Sequence, residues 1–233
     1  MKLRWLVGLG MVTLLLAGPV GAQETPAMNQ KDKVSYSIGM EIGKNLKTQS
    51  LDVNPEFLAK GLKDSFSDGK PLMTDDEMRE VLIGFQKEMM AKQQELAKQL
   101  GEKNQKEGDA FLAENKKKEG VITLPSGLQY KVIKAGSGNK PKATDNVSVH
   151  YQGTLTNGTE FDSSYRRGQP VSFPVNGVIP GWTEALQLME VGAKWQVVIP
   201  SNLAYGDRGA GPQIGPNSTL IFEIELLSIE EPK

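Results

Sequence analysis

The feature that most restricts this chain is a change of pattern at Gly120. Before it, from Asp32 to roughly Lys118, apolar residues recur at helical spacing. After it, β-branched residues, glycines and turn residues take over, and apolar side chains alternate with polar ones. A chain of 233 residues has room for one large or two small domains. Helices in one half and strands in the other predict an α+β protein. The expected parts are an N-terminal all-α region, a long connecting helix, and an antiparallel twisted sheet wrapped on one short helix.

The helical half divides into three. Val34, Ile38, Ile42 and Leu46 make one apolar face, with Gly39 and Gly43 beside it as places for close helix approach. Asn54-Pro55 is an N-cap followed by proline at the first helical position. Phe57, Leu58, Leu62 and Phe66 line this second helix, and Asp68-Gly69 and Pro71 stop it. Thr74-Asp75-Asp76-Glu77 is a capping box that opens a third helix. From about residue 74 to about residue 118 only Gly101 and Gly108 interrupt it, each costing about 1 kcal/mol relative to alanine. Those two glycines are where such a helix would hinge. Its length would be about 65 Å at 1.5 Å per residue.

Met78, Val81, Leu82, Phe85, Met89, Leu96 and Leu100 form a stripe on its first half, which is expected to pack. The middle, residues 101–109, carries no large apolar residue and reads as a solvated rod. Two arrangements satisfy the stripe: a monomeric three-helix bundle, or a dimer in which two copies share one core. The thin core available to one chain favours the dimer. Met73, Met78, Met89 and Met90 add adaptable apolar surface, suited to non-native clients or to filling that interface.

In the second half, strands are expected over residues 128–133, 146–153, 171–175, 194–199 and 220–229. Thr156-Asn157-Gly158-Thr159 is a hairpin turn of the Asn-Gly type. The one helix pattern here runs from Trp182 to Glu190. It follows Gly177-Val178-Ile179-Pro180-Gly181-Trp182, where Gly181 lets the backbone pass close beneath an indole. Taken alone, Trp182 reads as ordinary core or as the floor of a site.

Composition removes whole classes of chemistry. With no cysteine there is no disulfide, thiolate catalysis or Cys-type zinc site. The single histidine, His150, makes a His-rich metal site or a Ser-His triad improbable, and its place in an alternating run reads as structural. No metal and no cofactor are expected. Lys2 and Arg4, the apolar run over residues 6–17 and Val20-Gly21-Ala22 form a secretory signal with cleavage after Ala22. The alternative, a membrane anchor, needs about 20 apolar residues. Gly18 and Pro19 break the run before that. Without Lys2 and Arg4 the chain keeps 25 basic residues against 28 acidic ones, a formal charge of −3. Neither half is strongly basic, so nucleic acid is not an expected partner.

Tyr151, Phe161, Asp162, Val178, Ile179, Trp182, Tyr205, Ile214 and Phe222 each fall at a strand end, a helix start or a loop, and together they supply an aromatic pocket. Four stretches carry a resemblance: Val149-His150-Tyr151-Gln152-Gly153, Gly158-Thr159-Glu160-Phe161-Asp162-Ser163-Ser164, Val178-Ile179-Pro180-Gly181-Trp182 and Leu203-Ala204-Tyr205-Gly206. With Thr219-Leu220-Ile221-Phe222-Glu223-Ile224-Glu225-Leu226-Leu227 as a last strand, they resemble the FK506-binding-protein domain in order and spacing over about 110 residues. The N-terminal half, notably Asp32-Lys33-Val34-Ser35-Tyr36-Ser37-Ile38-Gly39, is similar to the helical region of the macrophage infectivity potentiators (the Mip-type subfamily) and their periplasmic relatives.

The resemblance implies a peptidyl-prolyl cis-trans isomerase domain over residues 120–233. It also implies a helical dimerisation domain over residues 23–119 and a signal peptide over residues 1–22. By family position Trp182 is the floor for a prolyl ring, and Tyr151, Phe161, Val178, Ile179 and Phe222 are walls. The Ile179 N–H and the Tyr205 hydroxyl donate to a substrate or inhibitor carbonyl. Asp162 orders Tyr151 or Arg167 and polarises the carbonyl region, or is simply a structural carboxylate. Arg167, Val171 and Ile214 complete the substrate- and inhibitor-binding set. Val171 stands where many relatives carry a bulkier aromatic, so that wall is expected to be more open.

The implied partners are proline-containing unfolded or nascent polypeptides, FK506- or rapamycin-type inhibitors, and a second copy of the chain. The implied location is the periplasm, outer membrane or surface of a Gram-negative bacterium. Two other readings are open: a holdase-type chaperone whose isomerase activity is secondary, and a surface infection factor.

Overall fold

The structure, a computed structural model, describes residues 28–67 and 70–230. The expected signal segment over residues 1–22 lies outside the described residues, as do Asp68 and Gly69 of the expected helix stop. The chain divides into two compact units, one ending at Thr74 and one beginning at Asp75.

The first unit holds α1 (Gln30–Thr48) and α2 (Pro55–Ser65). α1 starts two residues earlier than the apolar periodicity indicates, because Asn29 and Asp32 cap each other reciprocally. Asp32 N donates to Asn29 Oδ1 at 3.0 Å and Asn29 N to Asp32 Oδ2 at 3.2 Å. α2 begins as expected: Asn54 Oδ1 accepts from Glu56 N at 2.9 Å and Phe57 N at 3.3 Å, with Pro55 inside the first turn. Neither helix contains a buried residue. A Cβ on Gly39 or Gly43 would meet nothing within 4 Å.

The second unit opens with α3 (Asp75–Asn115), unbroken through Gly101 and Gly108. Its second half departs from the expectation. The first half, with Val81, Leu82 and Leu96 more than half exposed, is solvated within the single chain. The second half, expected to be a free rod, packs on the sheet region. Gly101, Gly108 and Asn115 are its buried residues. The reason is size rather than hydropathy. Glycine lets the helix backbone approach a loop that any side chain would hold off. Asparagine supplies the bonds: Asn115 Nδ2 donates to Gln129 Oε1 at 2.9 Å, and Gln129 Nε2 to the Leu112 carbonyl at 3.0 Å.

Seven strands follow: β1 (Val121–Thr123), β2 (Gln129–Lys134), β3 (Asn146–Leu155), β4 (Glu160–Ser163), β5 (Val171–Pro174), β6 (Lys194–Ile199) and β7 (Leu220–Glu230). All paired strands are antiparallel, in the order β1-β2-β6-β7-β3-β4, with β5 also on β3. The five expected strands are present within two residues at each end. β1 and β4 are additions too short for a periodicity to show. The Asn-Gly hairpin joins β3 to β4, with Gly158 at φ 86° and Leu155 N bonded to the Thr159 carbonyl at 2.9 Å. The sheet half also holds two α-helices rather than one: α4 (Ser164–Arg167) and α5 (Pro180–Leu188).

The core lies where α5 crosses the sheet. Ala185, Leu186 and Met189 pack with Val147 and Val149 of β3, Val197 and Ile199 of β6, and Leu220, Ile224 and Leu226 of β7. One edge of β3 is shared by two short strands: β5 pairs with Asn146 to Val149, and β4 with Gln152 to Thr154. Between them the edge of β3 has no strand partner. Ser164 of α4 fills the break, its Oγ accepting from Tyr151 N at 2.8 Å and donating to the Tyr151 carbonyl at 3.2 Å.

Candidate active site

The cavity forms between the sheet, the start of α5 and the loop over residues 205–214. Its volume is about 710 Å³, and its lining comes from every element that meets there. β3 contributes Tyr151, β4 contributes Phe161 and Asp162, β5 contributes Val171 and Phe173, and β7 contributes Phe222. The turn into α5 contributes Gly177, Val178 and Ile179, and α5 itself Trp182. Tyr205 and the loop of Ala210, Gly211, Pro212, Gln213 and Ile214 close the remaining side.

Trp182 is set by its helix start. Ile179 is the N-cap and Pro180 stands inside the first turn, so the indole projects from the third helical position. Gly181 allows this: a Cβ there would meet Ile199 Cγ2 at 2.5 Å. Trp182 is 3% exposed and is met edge-on by Tyr151 at 5.2 Å, Phe222 at 5.2 Å and Phe173 at 5.5 Å between ring centroids. Phe161 meets Phe222 edge-on at 5.5 Å. Gly153 makes that pair possible, since a Cβ on it would lie 2.6 Å from Phe161 Cε2 and 2.7 Å from Phe222 Cε1.

The polar groups are few. Asp162 accepts from the Tyr151 hydroxyl, from Arg167 Nη1 and, at 2.8 Å, from Ser163 N. Arg167 Nη2 also donates to the Tyr151 oxygen at 2.9 Å. Burial alone would raise the Asp162 pKa. The hydrogen bonds from Tyr151 and Arg167, with the guanidinium charge, outweigh it and hold the carboxyl below its ordinary value. Burial, then the bond to Asp162, push the Tyr151 hydroxyl up, so it stays protonated and donating. The bonds to Tyr151 and then Asp162 raise Arg167 further.

Two donors remain. The Ile179 carbonyl accepts from Trp182 N at 2.9 Å and Thr183 N at 3.1 Å, while its own N–H has no partner among the described residues. The Tyr205 side chain is 41% exposed. Its hydroxyl likewise has no partner among the described residues. Such a cavity can hold an apolar ring against the indole and offer two hydrogen bonds to a carbonyl beside it.

The cavity brings together ten of the eleven residues singled out from the sequence. Arg167 stands outside the lining and donates to Asp162 and Tyr151. Phe173 was missed, although a signal existed. It lies two residues after Val171 on the same strand, hence on the same face. Pro212 and Gln213 carried no such signal.

Residues 137–227 match the family model described as FKBP-type peptidyl-prolyl cis-trans isomerase. Residues 31–132 match the model for the domain amino terminal to it. The chain is 50% identical over 226 residues to the outer membrane protein MIP of Legionella longbeachae, covering 97% of this chain and 95% of that one. The chain belongs to the FKBP-type peptidyl-prolyl cis-trans isomerases. The isomerase is also 45% identical to the peptidyl-prolyl cis-trans isomerase Mip of Coxiella burnetii, over 93% of this chain and 94% of the relative. The crystal structure of FkpA from Escherichia coli superposes with a TM-score of 0.68 at 38% identity, covering 87% of this chain and 97% of that one. Family membership gives the isomerase proline-containing substrates and, in general, binding of FK506-type ligands.

Proposed function

We propose that the cavity on Trp182 is the site of isomerisation, in an exported homodimer that accelerates the folding of envelope or secreted proteins. The observation that carries this reading is the edge-on ring of Tyr151, Phe173 and Phe222 around a nearly buried indole. The barrier to amide rotation, about 18–20 kcal/mol, comes from resonance. Twisting the Xaa-Pro bond interrupts that resonance and reduces the charge separation between nitrogen and oxygen. A dry aromatic cup therefore favours the twisted form over the planar one, and every 1.4 kcal/mol of preference gives about tenfold in rate.

Each residue then has a physical role. Trp182 bears the prolyl ring, and Phe161, Phe222, Val178 and Phe173 confine it. The Ile179 N–H and the Tyr205 hydroxyl hold carbonyls of the peptide or of a macrolide. Asp162, kept ionised, fixes Tyr151 between itself and Arg167 and sets the field at the cavity mouth. No proton is transferred and no covalent bond forms or breaks.

The division of labour is an N-terminal dimerisation region and a C-terminal catalytic region. Support for the dimer is the apolar surface that one chain leaves open: Phe66 is 87% exposed, Leu82 65% and Phe57 64%. Support for export is the signal-like N-terminus and the name of one relative, an outer membrane protein. The exposed methionines on α3, Met78 and Met90, favour a second role in holding unfolded clients.

The test is turnover of short Xaa-Pro peptides by the full chain, with and without an FK506-type macrolide, beside a proline-limited refolding assay. Inhibition of both by the macrolide is expected. Refolding assistance that persists when peptide turnover is fully inhibited would shift the main role to holding clients. Turnover that survives Trp182→Ala combined with Tyr205→Phe would remove the cavity assignment.

A further inference from the structure

The cavity wall formed by residues 210–214 belongs to a loop whose two ends come together on the long helix. Its neck is closed by Asn217 N donating to the Gly206 carbonyl at 2.8 Å. Inside the neck, Ala210 and Ile214 pair through two backbone bonds, at 2.8 and 3.2 Å. Asn217 holds a left-handed backbone conformation at φ 53°, which fixes a sharp turn beneath the wall.

This neck rests on residues 100–108 of α3. Asn104 Nδ2 donates to the Pro216 carbonyl at 2.8 Å and lies 3.4 Å from Ser218 Oγ, which itself donates to the Gly215 carbonyl at 2.9 Å. Space is as tight as the bonding is specific. A Cβ on Gly108 would lie 2.3 Å from Thr219 Oγ1 and 3.1 Å from Thr219 Cβ. A Cβ on Gly101 would meet Asn217 Nδ2 at 3.2 Å, and one on Gly215 would meet Asn104 Nδ2 at 3.0 Å. On the other flank Ser201 Oγ donates to Gln105 Oε1 at 3.4 Å, just before the turn that carries Tyr205.

We propose that Asn104 and Gly108 of the long helix are positioning residues for isomerisation: they seat the neck of the loop over residues 206–217 and thereby fix one wall of the proline cavity. This rests on the isomerase reading of the cavity. The helix is then more than a connection between regions. It is a structural part of the binding wall, and peptide or macrolide affinity depends on residues that touch neither ligand. The two glycines also acquire a reason. Each weakens the helix, and each stands where a loop backbone or side chain must come within contact of the helix backbone.

The test uses full-length variants and three readouts. Asn104→Ala removes the donor and adds no atoms. Gly108→Ala adds one carbon against Thr219, and adding Thr219→Ala removes the 2.3 Å approach to Oγ1 and leaves the Cβ at 3.1 Å. Lys103→Ala, on the solvent side of the same turn, is the control. In the free protein, exchange of the Ile214 and Asn217 amides is expected to accelerate about tenfold in Asn104→Ala and Gly108→Ala. Macrolide Kd is expected to weaken about fivefold and peptide KM to rise similarly, with kcat within about twofold. The double variant is expected to fall between Gly108→Ala and the parent, and Lys103→Ala to stay near the parent.

Alanine is the better helix former. If the helix were only a rod, Gly108→Ala would leave loop exchange and Kd unchanged. That result overturns the proposal, as does faster loop exchange with unchanged Kd and KM. If Gly108→Ala does not fold, Asn104→Ala decides alone. A parent chain that neither binds macrolide nor turns over peptide sinks the isomerase reading, while amide exchange still reports whether the helix seats the loop.

Discussion

The two halves of α3 show how differently apolar and small residues bring about packing. The first half carries the conspicuous stripe of Val81, Leu82 and Leu96, and within one chain it buries almost nothing. The second half carries glycines and asparagines, and it is the part that is buried against the sheet region. A large apolar stripe signals that a partner is needed but not where the partner is. The small residues Gly101 and Gly108, two turns apart, admit close approach, and polar side chains beside them make the contact specific.

The strongest way to break this comparison is to charge the open apolar surface. Leu62→Asp in α2 is expected to raise the dimer dissociation constant by about 10³-fold, because a symmetric interface repeats a loss of about 2 kcal/mol twice. Sedimentation over a concentration series reads this, and short-peptide turnover should stay within about twofold of the parent. A chain that is monomeric before substitution would remove the shared-core explanation of the stripe.

Trp182→Ala tests the opposite region, where burial is complete within one chain. Peptide turnover is expected to fall about 100-fold. Unfolding should also become easier by about 3–5 kcal/mol, the usual cost of emptying an aromatic core position. Sedimentation should not change, and that contrast with Leu62→Asp is the sharper result.

Asp162→Asn is expected to weaken macrolide affinity about tenfold, through the loss of one charge-assisted hydrogen bond of about 1.5 kcal/mol. Calorimetric titration measures it. The smallest effect is that of pH. The Asp162 carboxyl lies below its ordinary value of 3.8, so its contribution is complete above that value and is lost as pH falls through the lower folded-state pKa. The Tyr151 hydroxyl lies above its ordinary value of 10.0, so its contribution is complete below 10.0 and is lost as pH rises through the higher folded-state pKa. Peptide turnover should therefore be nearly flat from about pH 5 to about pH 8, the window in which an unperturbed histidine would titrate. His150, stacked on Tyr165 at 4.7 Å, is not among the residues that line the cavity.

Much of the site was legible because its residues sit on local patterns. Val178 to Trp182 announces a helix start by proline and glycine, and Val171 announces a wall by strand alternation. Phe173 followed from the same alternation and was overlooked. Pro212 and Gln213 lie in a glycine-rich loop, where no period exists to say which side chains face inward. The bond from Arg167 to Asp162 agrees with the expected ordering of the two, and Arg167 itself lies outside the cavity lining.

By itself the sequence determined the two architectures, the boundary in pattern at Gly120, the cap of α2 and the aromatic inventory of the cavity. These depend on periodicity and turn chemistry within a few residues. The tertiary structure alone decided which half of the long helix packs, because that contact joins Asn104 to Pro216 across 112 positions. It exists only once β6 and β7 have closed and brought the loop between them to the helix. Glycine in a helix reads as weakness until the neighbour it admits is in place.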